Sequence, residues 1–505
     1  MSSEAIVEEF QEYIQKISHL EEAIGLMTWD LRTGAPKKGA ARRGEVIGTL
    51  SSEVFQLSTS SHLKEMISHL NQEETWISLD EITKGSVKEC EKTIRKFENV
   101  PADEFKAFII LTAQAEQAWE DAKDKGDFAS FQPYLEKIVD YQRNYADWKG
   151  FKGNRYNALL DDFEPGLTTD TIDEVFTQLK EAIVPLVEKI SKQNAPETNY
   201  LFKKFPVEQQ KRFSRKILES MQYDFQAGRL DTTVHPFAIG LNPGDVRVTT
   251  KYDEFDFRTA VFGTIHEGGH ALYEQNIHPS LAGTPLAGGT SMGIHESQSL
   301  FWENFIGRRF GFWEKHFDLL KEFAPGQFQG ISLDEFYKAV NVAGPSLIRI
   351  EADELTYCLH IILRYELEKA LINGDIEVTD LPEKWNEKME ELLGIKPSHD
   401  GEGVLQDVHW AGGAFGYFPS YALGYVYAAQ LQAAMQKDLP QFEELISSGN
   451  LAPIKEWLTE NVHQHGKLKD PLQILHDAAG EKIDASHLIH YLTDKYEEVY
   501  NLREQ

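Results

Sequence analysis

Residues 262–275 read FGTIHEGGHALYEQ and place His266 and His270 four residues apart, with Glu267 directly after the first histidine. On a helix, positions i and i+4 lie on one face about 6 Å apart along the axis, so both imidazoles can bind one metal ion. Glu267 projects about 100° round the helix, where it can reach a water molecule at the metal without being a ligand. The stretch predicts a hydrolytic metal centre with Glu267 as its base. The alternative is a core helix with two hydrogen-bonded histidines.

Two glycines, Gly268 and Gly269, interrupt this helix. Each costs about 1 kcal/mol relative to alanine in a helix interior. We therefore expect another backbone or helix to approach the metal helix closely at these positions. Plain packing explains the pair as well as a functional requirement does.

A catalytic zinc takes three protein ligands and leaves its fourth position to water. After a glycine-rich loop at 282–293, a predicted helix begins near His295 and carries Glu296 in its first turn. Glu296 follows His270 by 26 positions, which allows this second helix to fold back on the first, so Glu296 is the predicted third ligand. An acidic residue at a helix N-terminus is also favoured by the helix dipole alone. His295 and His278 remain alternative ligands. We expect Glu274 to lie beyond the metal. Glu303 is expected either to support a metal ligand or to contact solvent.

The composition limits the classes of protein to which the chain can belong. With 505 residues and a net charge of −30, its surface repels phosphate backbones, which argues against nucleic acid as a partner. Two widely separated cysteines form neither a disulfide framework nor a cysteine metal site, and the first residues lack the apolar core of a signal peptide. A cytoplasmic location is expected.

Residues 408–436 contain no charged side chain and are long enough to cross a bilayer. Because the stretch also holds Pro419, four glycines and several glutamines, a buried segment lining a cleft is the better interpretation, and no membrane partner is expected.

Helical periodicity dominates the remaining sequence, and one helix is expected to end at Asn373-Gly374. The clearest strand pattern is at residues 245–258, where apolar and polar side chains alternate before the metal helix. We predict a mainly α-helical protein with one small β-sheet beside the metal helix. Arg247, on that strand, is expected to pair with Asp245 and brace a sheet edge that could bind a peptide backbone.

Several motifs follow one another along the chain, and together they resemble the carboxypeptidase Taq family, the M32 metallocarboxypeptidases. The motifs are HPF at 235–237, DVRVT at 245–249, HEGGH at 266–270, HESQ at 295–298, IRIEAD at 348–353 and GVLQDVHW at 403–410. Further similarity runs through WDLRTGAPKKGAARRGE from Trp29 and YNALLDDFEPG from Tyr156. The resemblance covers nearly the whole chain.

This resemblance implies a zinc carboxypeptidase with broad specificity, able to use cobalt, that removes C-terminal residues from peptides. It implies one catalytic domain over residues 1–505, with the helical fold of neurolysin and angiotensin-converting enzyme and two helical halves flanking a deep groove. A homodimer is a further expectation from the family.

The resemblance also suggests roles for residues outside the metal centre. Tyr421, and after it Tyr417, are candidate donors to the oxyanion of the transition state, and His409 is a candidate contact to the substrate. Arg349 is the candidate for binding the free C-terminal carboxylate, which arginine recognises through paired donors. The alternative for the aromatic residues is a place in the core. The alternative for Arg349 is a buried salt bridge to Asp353 or Glu354.

Other functions are compatible with only part of this pattern. A zinc endopeptidase would share the metal centre and differ in whether its groove is closed. A peptide-binding protein with a structural metal would have no use for Glu267 beside an open coordination position. A phosphoesterase or deaminase would need an Asp-rich two-metal cluster or a Cys-x-x-Cys pair, which do not accompany these histidines.

Overall fold

The protein is mainly α-helical, as predicted. The structure is a computed structural model that describes residues 3–502. The first ten helices of the described chain are α1 (Ser3–Thr33), α2 (Ala40–Ser58), α3 (Ser61–Leu70), α4 (Glu73–Ser78), α5 (Glu81–Phe97), α6 (Ala102–Lys125), α7 (Phe128–Lys149), α8 (Asn157–Leu160), α9 (Thr169–Ile190) and α10 (Val207–Ser220). The later helices are α11 (Phe257–Gln275), α12 (Met292–Leu300), α13 (Phe310–Phe323), α14 (Leu333–Val340), α15 (Tyr357–Asn373), α16 (Leu381–Leu393), α17 (Pro419–Asp438), α18 (Phe442–Ser448), α19 (Ala452–Asn461), α20 (Pro471–Ala479) and α21 (Ser486–Val499).

Short 3-10 turns and one π-helix complete the helical structure of residues 3–502. The 3-10 turns lie at Lys37–Gly39, Asn199–Phe202, Pro279–Leu281, Arg349–Glu351, Val378–Asp380 and His463–Leu468. The π-helix, Phe301–Gly307, continues directly from α12. Insertions of this kind are frequent at functional sites.

The strands are β1 (Leu230–Thr232), β2 (Ala238–Asn242) and β3 (Asp245–Thr250), in the order β1-β3-β2. β1 runs parallel and β2 antiparallel to β3. The predicted strand is thus confirmed only up to Thr250. The pairing of Arg247 with Asp245 is confirmed, at 2.7 Å for both hydrogen bonds. The expectation that Arg247 lies on an edge strand is wrong, because its strand β3 has a neighbour on each side and the edge strands are β1 and β2.

The described residues fall into two compact units. Unit 1 comprises Met1–Glu98, Thr198–Tyr337 and Ala434–Gly480, and unit 2 comprises Asn99–Glu197, Lys338–Ala433 and Glu481–Gln505, in each case over the described residues. Within unit 1, α11 is surrounded by α10, α12, β2, β3 and the π-helix. This explains why its sequence is apolar or small on nearly every side.

Unit 2 is built round α15, which packs against α7, α9 and α16. The helix ends as predicted, with Gly374 in the left-handed conformation at φ 81°. It begins only at Tyr357, because the Asp353 carboxylate accepts hydrogen bonds from the backbone N–H groups of Leu355 and Thr356 and forms a turn there. Two charged residues of α15, Arg364 and Glu368, are fully buried.

Candidate metal centre and substrate-binding residues

The two central glycines of α11 allow two other helices to approach it. A Cβ atom on Gly269 would lie 2.5 Å from the backbone oxygen of Gln298 in α12. A Cβ atom on Gly268 would lie 2.7 Å from Cδ2 of Leu218 in α10. The predicted close approach is confirmed, and at Gly269 it is an approach of backbone to backbone.

Because α12 packs so closely on α11, Glu296 faces the two histidines. Ser291 caps α12 by accepting a hydrogen bond from the N–H of Ile294, which fixes where the helix begins. The Nε2 atoms of His266 and His270 lie 3.9 and 3.5 Å from the Glu296 carboxylate oxygens. One donor atom from each of the three residues lies within 4.8 Å of the other two. Two imidazoles and one carboxylate form a suitable donor set for a divalent metal ion.

Glu303 holds the first of these histidines in position. His266 Nδ1–H donates to Glu303 Oε2 at 2.9 Å, and Arg308 donates to Glu303 Oε1 at 2.9 Å. This bond leaves the Nε2 lone pair of His266 for the metal. Burial opposes protonation of His266, but the Glu303 and Glu296 carboxylates outweigh it and raise the pKa of the histidine to about 10. Because imidazole binds a metal only in its neutral form, metal binding and protonation of His266 compete.

A different chain of hydrogen bonds orients His270. His295 Nε2 lies 2.8 Å from Glu274 Oε1, and the neutral tautomer of His295 that donates there can accept from His270 Nδ1–H through its own Nδ1, at 2.6 Å. His270 thereby keeps its Nε2 lone pair, and burial lowers its pKa well below the usual value. His295 is placed behind a ligand, which argues against it as the third ligand. His278 is exposed and contacts Ser280 through Nδ1 at 2.7 Å.

Glu267 is almost completely buried, with 9% of its surface exposed. Burial raises the pKa of its carboxyl to about 7, and the nearby His266 opposes this rise. The backbone N–H of Ala238 in β2 donates a hydrogen bond to the carboxylate and also lowers the pKa. A carboxylate with a pKa near neutrality is suited both to accept a proton and to return it.

In unit 2, Arg349 lies in the turn before α15 and is 6% exposed. Its Nε and one terminal nitrogen donate to Asp407 Oδ1 at 3.0 and 2.9 Å, and the other terminal nitrogen donates to Tyr357 Oη at 3.1 Å. The alternative pairing with Asp353 or Glu354 is wrong, because both carboxylates have other partners.

Asp407 is shared between two arginines. Arg364, fully buried on α15, donates through Nε to Asp407 Oδ2 at 2.7 Å. Although burial opposes ionisation, Arg364 and Arg349 hold the pKa of Asp407 well below its usual range. Two guanidinium groups thus face one carboxylate, so the positive groups in this contact outnumber the negative one. Sequence reasoning missed both Asp407 and Arg364, although a lone arginine in the apolar helix CLHIILRYELEKAL was a signal for a buried ion pair.

The aromatic candidates lie together beside Arg349. The rings of His409 and Tyr417 are 5.6 Å apart, Tyr421 Oη is 3.5 Å from His409 Nε2, and the Arg349 guanidinium lies 5.1 Å from the Tyr421 ring centre. Burial lowers the pKa of His409 to about 4, so its imidazole is neutral at pH 7. Between residues 415 and 431, every side chain is buried except Tyr417 and Tyr421, which are partly accessible. That pattern favours a binding role for the two tyrosines over a role in the core.

The α11 and α12 residues bring together a candidate site for a divalent metal ion on a helical fold. The sequence model described as "Carboxypeptidase Taq (M32) metallopeptidase" matches residues 9–496. The chain belongs to this family and is therefore a peptide hydrolase, a metallocarboxypeptidase.

Individual relatives agree with this family. "Carboxypeptidase 1" of Bacillus subtilis is 53% identical over 98% of both chains. "Thermostable carboxypeptidase 1" of Thermus thermophilus is 37% identical over 99% of this chain and 100% of the relative. The crystal structure of the M32 carboxypeptidase from Deinococcus radiodurans has 34% identity and a TM-score of 0.95, over 98% of this chain and 100% of the other.

Among the described helices, none is both long and apolar enough to span a membrane. The uncharged stretch at 408–436 instead forms a loop, in which Val408 and Gly412 are exposed, followed by the largely buried helix α17.

Proposed function

We propose that the protein is a zinc-dependent carboxypeptidase that releases C-terminal residues from peptides with broad specificity. The observation that carries the proposal is the convergence of His266, His270 and Glu296 beside the buried Glu267. Two histidines and a glutamate are the ligand set of several zinc peptidases, and cobalt fits the same donors. A divalent ion held there supplies Lewis-acid polarisation of the scissile carbonyl and of the attacking water.

Glu267 is the proposed general base. Its carboxylate takes a proton from the attacking water and then delivers it to the leaving amine, so one group acts as base and as acid in turn. The pKa of about 7 that burial gives this group favours that exchange, and the charge of a metal ion would favour the ionised form at the start.

The unit 2 residues are proposed to recognise the substrate and stabilise the transition state. Arg349 binds the free carboxylate, supported by the excess of guanidinium over carboxylate charge at Asp407. Tyr421 donates to the developing oxyanion, with Tyr417 as the second donor, and the neutral His409 contacts the substrate. The chain would thus act as one catalytic domain.

The test is a mass-spectrometric time course on an unmodified decapeptide and its C-terminally amidated form, with added zinc or cobalt and a Glu267→Gln control. We expect a ladder that shortens from the C terminus, absent for the amide and for the variant. Internal cuts in both peptides would instead indicate an endopeptidase with the same metal centre. Absence of cleavage under either metal would indicate a peptide-binding protein.

A homodimer and a cytoplasmic location are also proposed; the first rests on the family resemblance, and the second also on the composition of the sequence. Light scattering after size-exclusion chromatography tests the first, and fractionation of the source cells tests the second.

A further inference from the structure

A buried carboxylate outside the metal centre has three hydrogen-bond donors. Glu368 on α15 is 0% exposed. Its Oε2 accepts from Tyr156 Oη at 2.6 Å and from the backbone N–H of Gly416 at 2.9 Å, and its Oε1 accepts from Trp410 Nε1 at 2.8 Å. A carboxylate buried to this extent is tolerated only where donors satisfy it, so these bonds are strongly constrained.

Two of the three donors lie at the ends of one short loop. The loop comprises residues 410–416, from Trp410 to Gly416. A hydrogen bond from Ala414 N–H to the carbonyl of His409, the residue before the loop, closes it at 2.8 Å. Gly416 has φ +89°, and a Cβ atom there would lie 2.7 Å from the backbone of Leu159. The loop is therefore fixed at its C-terminal end by backbone contact and at both ends by the same carboxylate.

We propose that Glu368 is a positioning residue for substrate binding. The residues just outside the two anchored ends are His409 and Tyr417, whose rings lie 5.6 Å apart with an angle of 29° between their planes. By holding Trp410 and Gly416, Glu368 sets the spacing and orientation of these two rings, although its own buried carboxylate does not reach the peptide. The inference rests on the substrate-contacting role proposed above for His409 and Tyr417.

Glu368→Gln tests this inference with little change in shape. An amide has one oxygen and one NH₂ group, so in either orientation the NH₂ group faces at least one of the three donors. We expect the loop ends to shift and kcat/KM for peptide hydrolysis to fall by about 10-fold or more, because a displacement of 1 Å can cost about 100-fold. Zinc affinity should stay within about twofold, because none of the Glu368 partners is a metal ligand.

A matched pair of variants separates positioning from general stability. Tyr156→Phe removes one hydrogen bond to the same carboxylate, but Tyr156 is not part of the loop. Trp410→Phe removes the bond that anchors the loop. We expect both variants to lower Tm, with kcat/KM falling for Trp410→Phe and staying within about threefold for Tyr156→Phe. Equal losses of kcat/KM in the two variants would overturn the inference.

A mutant cycle with the combined variant His409→Ala/Tyr417→Phe gives the decisive readout, because Glu368 is proposed to act through both residues. If it does, Glu368→Gln should cause little further loss of kcat/KM in the His409→Ala/Tyr417→Phe background. Full additivity would overturn the positioning role while leaving the roles of His409 and Tyr417 intact. Unimpaired activity of His409→Ala/Tyr417→Phe alone would overturn both. Should Glu368→Gln fail to fold, Trp410→Phe takes its place in the cycle.

Discussion

Gly269→Ala should weaken metal binding while the variant still folds. The added Cβ atom would lie 2.5 Å from the backbone oxygen of Gln298 and 2.7 Å from Cα of Ser299. Ordinary contact begins at 3.4 Å, so α12 would have to retreat by about 3.4 − 2.5 = 0.9 Å. Metal-ligand distances tolerate only about 0.2 Å. Glu296, which α12 carries, would move out of ligand range.

The matched control is Gly268→Ala, the same substitution one position earlier. Both variants gain the same helix propensity, about 1 kcal/mol in each case. The Cβ atom on Gly268 would meet Cδ2 of Leu218 at 2.7 Å and Cε of Met221 at 3.0 Å, which are the ends of flexible side chains that can rotate away. Its metal site should therefore remain close to that of the wild type.

The assay is competition for zinc against a chromophoric chelator, with thermal unfolding of the metal-free proteins as a check on folding. We expect zinc affinity to fall by about 100-fold for Gly269→Ala, the upper end of the loss seen when supporting residues are removed, and by less than about threefold for Gly268→Ala. Wild-type affinity in Gly269→Ala, or an equal loss in both variants, would refute the reasoning that Gly269 sets the distance of Glu296 from the histidines.

Three further predictions concern other parts of the molecule. His295→Ala should lower zinc affinity about 10- to 100-fold because it leaves His270 unoriented; unchanged affinity in the same competition assay would contradict the hydrogen-bond chain. Arg349→Lys should raise KM for peptides with a free C terminus about 10-fold or more, since a lysine cannot form paired bonds to a carboxylate; an unchanged KM would remove the arginine from substrate recognition. Burial lowers the pKa of His463 to about 3, from 6.5 when unfolded. Between these pH values the unfolded chain binds the proton and the folded chain does not, so stability falls as the pH falls from 6.5 towards 3, by up to about 1.4 kcal/mol per pH unit. The free energy of unfolding of His463→Gln should depend less on pH over this range, and identical slopes would disprove the assignment.

Several features could be predicted from the sequence because they depend on neighbours within a few residues. Helical geometry alone puts His266, Glu267 and His270 where they are needed. The glycine pair indicated a close helix contact, since the cost of two glycines in a helix interior requires compensation. Gly374 marked the end of α15 because glycine adopts the left-handed conformation without strain.

The tertiary structure decided which distant groups meet. The sequence left Glu296, His295 and His278 as possible third ligands. Only the packing of α12 on α11 turned Glu296 towards the two histidines of α11 and placed His295 behind His270. Arg349 found its partner in Asp407, 58 residues away, rather than in the nearby acidic residues. β3 proved to be the central strand of the sheet, because strand order depends on pairing that no local pattern encodes. Periodicity fixes which face of an element is buried, whereas the identity of what covers that face depends on contacts between segments far apart in the chain.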